Sequence, residues 1–200
     1  MSSTEAREAP QAPTLLADDP FYAVLAAHRD VCVDYCLVRC NAPYRGPASH
    51  RAALGFAVGC LSAADEEDGP VWSCEVEKAK GRKIAAAELL ALPAAPWKRT
   101  EPYKGTKVTA YLTPRADGGP IPYWFAFLEP PHGSGDTPAD FAAVNAALFP
   151  AGTAGLEVYE WSTDWSDYFD DGHEWWGAGC WSVYDRALDR FAVILASATD

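Results

Sequence analysis

The side chains best suited to chemistry are concentrated in one acidic and aromatic segment, residues 161–177. This segment contains four of the eight tryptophans, four aspartates, one glutamate and one of the four histidines. Carboxylates are the ligands that Mg²⁺ and Ca²⁺ prefer, and an imidazole exchanges a proton near neutral pH. A candidate cluster for metal binding or acid–base chemistry therefore consists of Asp170, Asp171, His173 and Glu174. Its spacing matches neither the EF-hand loop nor His-Glu-x-x-His.

Three interpretations of this segment remain open. In the first, the aromatic residues pack on a sheet while the aspartates cap turns and face water, because unpaired carboxylates are costly to bury. In the second, aromatic and acidic side chains together form a surface that binds a basic protein. In the third, the cluster belongs to a metal-assisted hydrolase. The candidate binding residues are Trp165, Tyr168, Asp170, Asp171, His173, Glu174, Trp175 and Trp176.

Charge is distributed unevenly along the chain. The formal net charge of −12 argues against a nucleic-acid binder, whose affinity comes from Lys and Arg neutralising phosphates. Residues 78–107 nevertheless hold eight Lys and Arg and two acids, a balance of +6, whereas residues 160–200 hold nine acids and two Arg, a balance of −7. The two stretches are expected either to face each other in the fold or to form separate solvated surfaces.

The six cysteines indicate a reducing compartment rather than a disulfide framework. Residues 1–18 lack the apolar run of a secretory signal, and no segment is apolar for the length of a membrane span. We therefore expect a soluble, cytoplasmic protein with no membrane contact. Cys32, Cys36 and Cys40 are spaced by four and are expected to pack as small apolar side chains, since no Cys-x-x-Cys pair suggests zinc. No cofactor is expected, and the oligomeric state stays open.

The elements that position these residues are predicted from periodicity and turn signals. Residues 1–18 are expected to be a disordered tail, and residues 19–200 a single α+β domain with a mainly antiparallel sheet of about six strands and about four helices. Helices are predicted at 19–29, 49–64, 84–92 and 137–148. Strands are predicted at 71–78, 107–113, 123–128, 156–162, 180–185 and 190–197. Residues 31–40 are predicted as a strand or as a continuation of the first helix, because the cysteine spacing suits both. We expect hairpins to join 107–113 to 123–128 and 180–185 to 190–197. His28 and His50 fall in the helical patterns and are interpreted as packing or surface residues.

The C-terminal half contains four distinctive segments: Tyr123-Trp-Phe-Ala-Phe-Leu128 with Pro130-Pro131, Asp140-Phe141 with Asn145 and Leu148-Phe149-Pro150, Asp167-Tyr-Phe-Asp-Asp-Gly-His-Glu-Trp-Trp-Gly177, and Ala196-Ser-Ala-Thr-Asp200. In these segments the chain resembles a family of bacterial cytosolic proteins. The resemblance implies no activity and no catalytic residue. In composition the chain is also similar to immunity proteins that neutralise toxins. The leading hypothesis is a non-enzymatic, immunity-type inhibitor that binds a basic toxin or effector, and the alternative is the metal-assisted hydrolase.

Overall fold

The computed structural model describes residues 12–28, 30–64, 71–92, 98–104, 106–111, 120–174 and 176–198. The strands are β1 (Thr14–Leu15), β2 (Asp34–Arg39), β3 (Gly81–Ile84), β4 (Lys98–Tyr103), β5 (Thr106–Tyr111), β6 (Leu156–Trp161), β7 (Ala178–Asp185) and β8 (Arg190–Ser197). The helices are α1 (Phe21–Leu25), α2 (Pro47–Ala64), α3 (Ala86–Leu89), α4 (Tyr123–Leu128), α5 (Pro138–Leu148) and α6 (Asp170–Glu174), with 3₁₀ turns at Val76–Lys78 and Asp167–Phe169.

Six strands form one antiparallel sheet in the order β1-β2-β8-β7-β6-β3, while β4 and β5 pair as a separate hairpin. The centre of the sheet is the β7–β8 hairpin. In the turn that connects β7 to β8, the Asp185 carboxylate accepts hydrogen bonds from the backbone N–H groups of Ala187 at 2.9 Å and Leu188 at 3.2 Å. The predicted hairpin and the α+β class with a mainly antiparallel sheet are confirmed.

Both faces of the sheet are covered, which makes a three-layered structure. Alternate residues of β8 point to opposite faces: Ala192 and Ile194 contact the apolar cluster beneath α1, α4 and α5, whereas Val193 and Leu195 contact the cluster beneath α2. Residues 165–169 also belong to the second cluster. A strand that is buried on both faces has a continuous run of apolar residues, and residues 191–196 form such a run.

Two predicted strands are wrong. The run 123–128 is helix α4, in which Trp124 is the one residue not fully buried. A short, wholly apolar run carries no period, so it could not be told from a strand by pattern. The alternating segment 71–78 contains a 3₁₀ turn at Val76–Lys78 instead of a strand. The predicted helix 84–92 is shorter than expected, because Ile84 ends β3 and the helix spans Ala86–Leu89.

Further differences concern the N-terminal tail, the 107–113 hairpin and the cysteines. Residues 12–18, expected in the tail, include β1, whose Leu15 pairs with Val38; residues 1–11 lie outside the described part. Strand β5 pairs with β4 and not with residues 123–128.

All six cysteines are free thiols. Cys36 and Cys40 pack in the α2 cluster, but Cys32 precedes β2 and contacts the opposite one.

Helix α5 begins with a complete capping box. The Thr137 hydroxyl accepts from the Asp140 backbone N–H at 3.3 Å, and the Asp140 carboxylate accepts from the Thr137 N–H at 2.8 Å. These bonds satisfy N–H groups that the helix itself leaves unpaired. No described helix is long and apolar enough to cross a membrane.

Thr137→Ala is expected to lower the free energy of unfolding by about 1 kcal/mol, because it removes the hydroxyl acceptor at the N-cap. Thr137→Ser keeps that acceptor and should stay within about 0.5 kcal/mol of the wild-type protein. Urea denaturation followed by circular dichroism measures both changes. Equal losses in the two variants would show that the threonine methyl group, and not the cap, matters here.

Candidate functional site

The candidate site is an exposed acidic face on the connection between β6 and β7. We define the acidic face as the exposed residues Asp164, Asp167, Asp170, Asp171 and Glu174. The side chains of Asp164 and Asp170 are 59% and 74% exposed. No Lys or Arg occurs in residues 162–174, so any Lys or Arg beside these five carboxylates comes from another part of the chain.

The aromatic residues of the same segment point inward. Trp165 is 1% exposed, and its indole N–H donates to the Ser162 carbonyl at 2.7 Å. Tyr168 is 8% exposed, and its hydroxyl donates to the Asp34 carboxylate at 2.6 Å. Burial raises the pKa of Tyr168 well above its ordinary value. Phe169 is fully buried and meets the Trp165 ring edge-on at 5.4 Å between centroids. These rings belong to the apolar cluster beneath α2.

The tryptophans that follow α6 were expected at the same surface. Trp176 is instead 7% exposed and packs on the opposite side of the sheet, where its ring stacks on Phe125. Its indole N–H donates to the Glu129 carbonyl at 2.8 Å. Trp175 lies outside the described residues. Of the eight candidate binding residues, the structure therefore exposes Asp170, Asp171, His173 and Glu174 and buries the three described aromatic ones.

Helix α6 is bound to the C-terminal end of β8 through Gly172. The Gly172 N–H donates to the Ser197 hydroxyl at 2.9 Å, and its carbonyl accepts from the Gly177 N–H at 2.7 Å. A Cβ atom on Gly172 would lie 2.3 Å from the Gly177 carbonyl oxygen, so only glycine allows this approach. These contacts set the position of the α6 backbone relative to β8.

The preceding 3₁₀ turn is held just as firmly. The Ser166 hydroxyl donates to the Ser73 carbonyl at 2.6 Å and accepts from the Tyr168 N–H at 3.3 Å. The Asp167 carboxylate accepts from the Ser73 N–H at 2.7 Å. The segment before the 3₁₀ turn Val76–Lys78 therefore braces the acidic face from one side.

The four residues proposed as a metal or acid–base cluster do not converge. His173 Nε2 lies 2.8 Å from the Thr163 hydroxyl, and its Nδ1 is 4.0 Å from Asp170 Oδ1. Within the described residues, no group of three or more His, Cys, Asp or Glu side chains is arranged to hold a metal ion. The arrangement offers exposed negative charge and one imidazole on a short helix.

Oppositely charged parts of the chain meet where β3 pairs with β6. Arg82 donates to Glu160 at 2.9 Å, and Lys83 donates to Glu157 at 2.9 Å. Lys80 lies 3.5 Å from Asp164. Residues 80–83 of the basic stretch thus meet Glu160 and Asp164 at the start of the acidic stretch. Farther along, neither Asp170 nor Asp171 contacts a Lys or Arg among the described residues.

Sequence reasoning missed a buried polar chain beneath α2. His50 and Ser182 are fully buried, and burial lowers the pKa of His50 to about 4. The indole N–H of Trp161 donates to the Ser182 hydroxyl at 2.7 Å, and Ser182 lies 2.7 Å from His50 Nδ1. His50 Nε2 lies 3.1 Å from the Tyr44 hydroxyl.

The donor and acceptor roles in this series of hydrogen bonds are fixed by the Glu157 carboxylate at its end. Tyr44 donates to the Glu157 carboxylate at 3.1 Å, since an ionised carboxylate only accepts. Tyr44 then accepts from Nε2–H of neutral His50, and the bare Nδ1 accepts from Ser182. Every member is satisfied, and a serine without exposed surface is a structural group rather than a nucleophile. The sequence signal for the chain was only Ser182 within an otherwise apolar strand.

His28, interpreted as a packing or surface residue, forms a second connection. Its Nδ1 lies 2.5 Å from Asp136 Oδ1, and the two side chains are 13% and 11% exposed. The contact joins the end of α1 to the loop that precedes α5. It stabilises that loop and does not reach the acidic face.

No family model, no curated protein and no solved structure matches this chain.

Proposed function

We propose that this chain is a non-enzymatic protein-binding domain, an immunity-type inhibitor that binds a basic toxin or effector through the acidic face. The observation that carries the proposal is the set of five exposed carboxylates on a segment without Lys or Arg. Such a surface attracts a cationic partner, speeds its encounter and repels acidic proteins and nucleic acids.

The buried aromatic residues support this function indirectly. Ordering a flexible loop on binding opposes association, so a surface fixed in advance binds more tightly than a mobile one. Trp165 and Phe169 in the core, with Gly172 bonded to Ser197, hold the acidic face in place. In this proposal the carboxylates contact the partner and the aromatic rings position them. A cytoplasmic location and the absence of nucleic-acid binding belong to the same proposal.

Two charge reversals test it. Affinity capture with the wild-type chain, at low and at physiological salt, should recover a stoichiometric basic protein. The double variant Asp170→Lys/Asp171→Lys should bind that protein at least about tenfold more weakly, mainly through a slower association rate. The difference should shrink as salt rises, because screening weakens exposed charges. Surface plasmon resonance measures both rates.

The matched control is Asp18→Lys/Asp30→Lys, which makes the same change in net charge at two exposed positions outside the acidic face. It should keep most of the wild-type affinity. Equal weakening by both double variants would mean that net charge alone drives binding. Capture of no stoichiometric partner at either salt concentration would count against the proposal as a whole.

The metal-assisted hydrolase is tested separately, because it predicts a bound divalent ion. If it held, Mg²⁺ or Mn²⁺ would raise the melting temperature of the wild-type protein but not of Asp171→Ala. The binding proposal predicts that the melting temperature of both proteins is unchanged by either ion. Metal analysis of the purified protein completes the test.

A further inference from the structure

Two cysteines from separate elements meet in the apolar cluster beneath α2. Cys36 lies on β2 and is 3% exposed, whereas Cys60 packs against the cluster from α2 and is partly exposed. Their thiol groups are hydrogen bonded to each other. Because α2 packs directly on β2, the fold itself holds the two thiols in contact. Two thiols in contact need little side-chain movement to reach the roughly 2.05 Å of a disulfide bond.

The surroundings of the two thiols give them different roles. Burial, and then the charge and hydrogen bond of Cys60, raise the pKa of Cys36 to about 12. Burial also raises the pKa of Cys60, but the hydrogen bond with Cys36 lowers it in part. Because this bond acts in opposite directions on the two groups, the Cys36 S–H donates and the Cys60 sulfur accepts. Cys60 is therefore the thiol of the pair that ionises first, and it is also the one that solvent reaches.

The other cysteines are placed differently. Cys180 belongs to the same cluster but is fully buried, and Cys40 packs at the margin of that cluster. Cys32 contacts the cluster on the opposite face of the sheet, and Cys74 is exposed. A reversible disulfide needs one thiol that an oxidant can reach and a second thiol beside it. Cys60 and Cys36 together meet both conditions.

We propose that Cys36 and Cys60 form a reversible disulfide when the chain meets a small external disulfide. The Cys60 thiolate attacks one sulfur of the external disulfide, whose S–S bond breaks, and one external thiolate leaves. Cys36 then gives up its proton and attacks the Cys60 sulfur, which releases the second external thiolate. The two protons that the protein loses are taken up by the two leaving thiolates. Both protein thiols are thereby oxidised, and one external disulfide is reduced to two thiols.

The disulfide ties β2 to α2 and closes the loop of residues 36–60. A cross-link restricts the unfolded chain more than the folded one, so oxidation should raise the melting temperature by roughly 5–10 °C. Reduction with dithiothreitol should reverse the change. This effect needs no partner at the acidic face, so it can fail without affecting the function proposed above, and the reverse also holds.

The test incubates the folded full chain with hydroxyethyl disulfide. Acid quenching, alkylation of the remaining thiols and peptide mass spectrometry then locate each bond. The wild-type protein should give a peptide pair joined through Cys36 and Cys60, with no hydroxyethylthio group on either residue. Cys36→Ser should stop at the first step and keep one hydroxyethylthio group on Cys60. Cys60→Ser should form neither the disulfide nor an adduct on Cys36.

Cys32→Ser and Cys74→Ser are the matched controls, because each removes the other cysteine of the tryptic peptide that holds Cys36 or Cys60. Both should still form the disulfide and show the same rise in melting temperature. Circular dichroism verifies that each variant is folded, and Cys36→Ala replaces Cys36→Ser if the buried position rejects serine. The proposal would be overturned if Cys36 and Cys60 stay reduced after the exposed Cys74 has reacted, if either bonds to another cysteine, or if Cys36 carries an adduct in Cys60→Ser.

Discussion

Trp165→Ala is expected to lower the free energy of unfolding by about 3–5 kcal/mol, the range for truncating a large buried aromatic side chain. The indole is 1% exposed, lies against Phe169 and donates to the Ser162 carbonyl, so its removal leaves both a cavity and an unpaired acceptor. In a protein of this size, the melting temperature should fall by roughly 10 °C. Thermal unfolding followed by circular dichroism measures it.

Asp171→Asn is the control for this change, because an exposed residue of the same segment should shift the free energy of unfolding by less than about 0.5 kcal/mol. The contrast separates two roles for the segment. A binding surface with exposed aromatic anchors would tolerate Trp165→Ala and lose only affinity. A nearly unchanged melting temperature for Trp165→Ala would therefore show that the indole is not part of the core.

The second large effect is a loss of stability in weak acid, caused by His50. Its pKa falls from an ordinary 6.5 to about 4 in the folded state, chiefly because burial disfavours the imidazolium. Above pH 6.5 the imidazole is neutral in both the folded and the unfolded state, so it does not change the free energy of unfolding. As the pH falls from 6.5 to about 4, the unfolded chain takes up a proton that the folded chain excludes. The free energy of unfolding therefore falls by roughly 3 kcal/mol across this window.

Urea denaturation between about pH 7 and about pH 4 measures this slope, and His50→Gln is the comparison. The charged groups that act on His50 are Glu157, which raises its pKa, and Lys83, which lowers it. Glu157 and Lys83 both remain in His50→Gln. Their own contributions therefore cancel when the plots of unfolding free energy against pH are subtracted for the two proteins. His50→Gln should start less stable and lose less stability on acidification. Parallel curves would assign the acid sensitivity to other groups.

The sheet was largely predictable from the sequence because its strongest signals are local. The run 190–197, paired through a short polar turn with 180–185, appears in the structure as the central hairpin. The cap at Thr137 with a proline after it correctly placed the start of α5. Both patterns depend only on residues that are close together in the sequence, so they can be recognised without the structure.

The candidate site was predicted less well, because side-chain direction depends on distant residues. Trp165 and Trp176 are close in sequence, yet they pack on opposite faces of the sheet. Asp170, His173 and Glu174 are three and four residues apart in α6 and so share one side of the helix, whereas Asp171 points about 100° away from Asp170. Spacing alone could not show that no three of these side chains come close enough to hold a metal ion. The contacts of His50 with Ser182 and Tyr44 join separate elements and left no pattern.

The strand order also dictates when the sheet can form during synthesis. Strand β2 pairs through residues 34–38 with β8, which follows every other described element in the chain, and β8 carries side chains of both apolar clusters. Until residues 190–197 leave the ribosome, β2 and β7 each lack a partner along one edge, and neither apolar layer can close. Pairing between segments so far apart in the chain makes folding slow, because a long loop must close before β2 and β8 can pair.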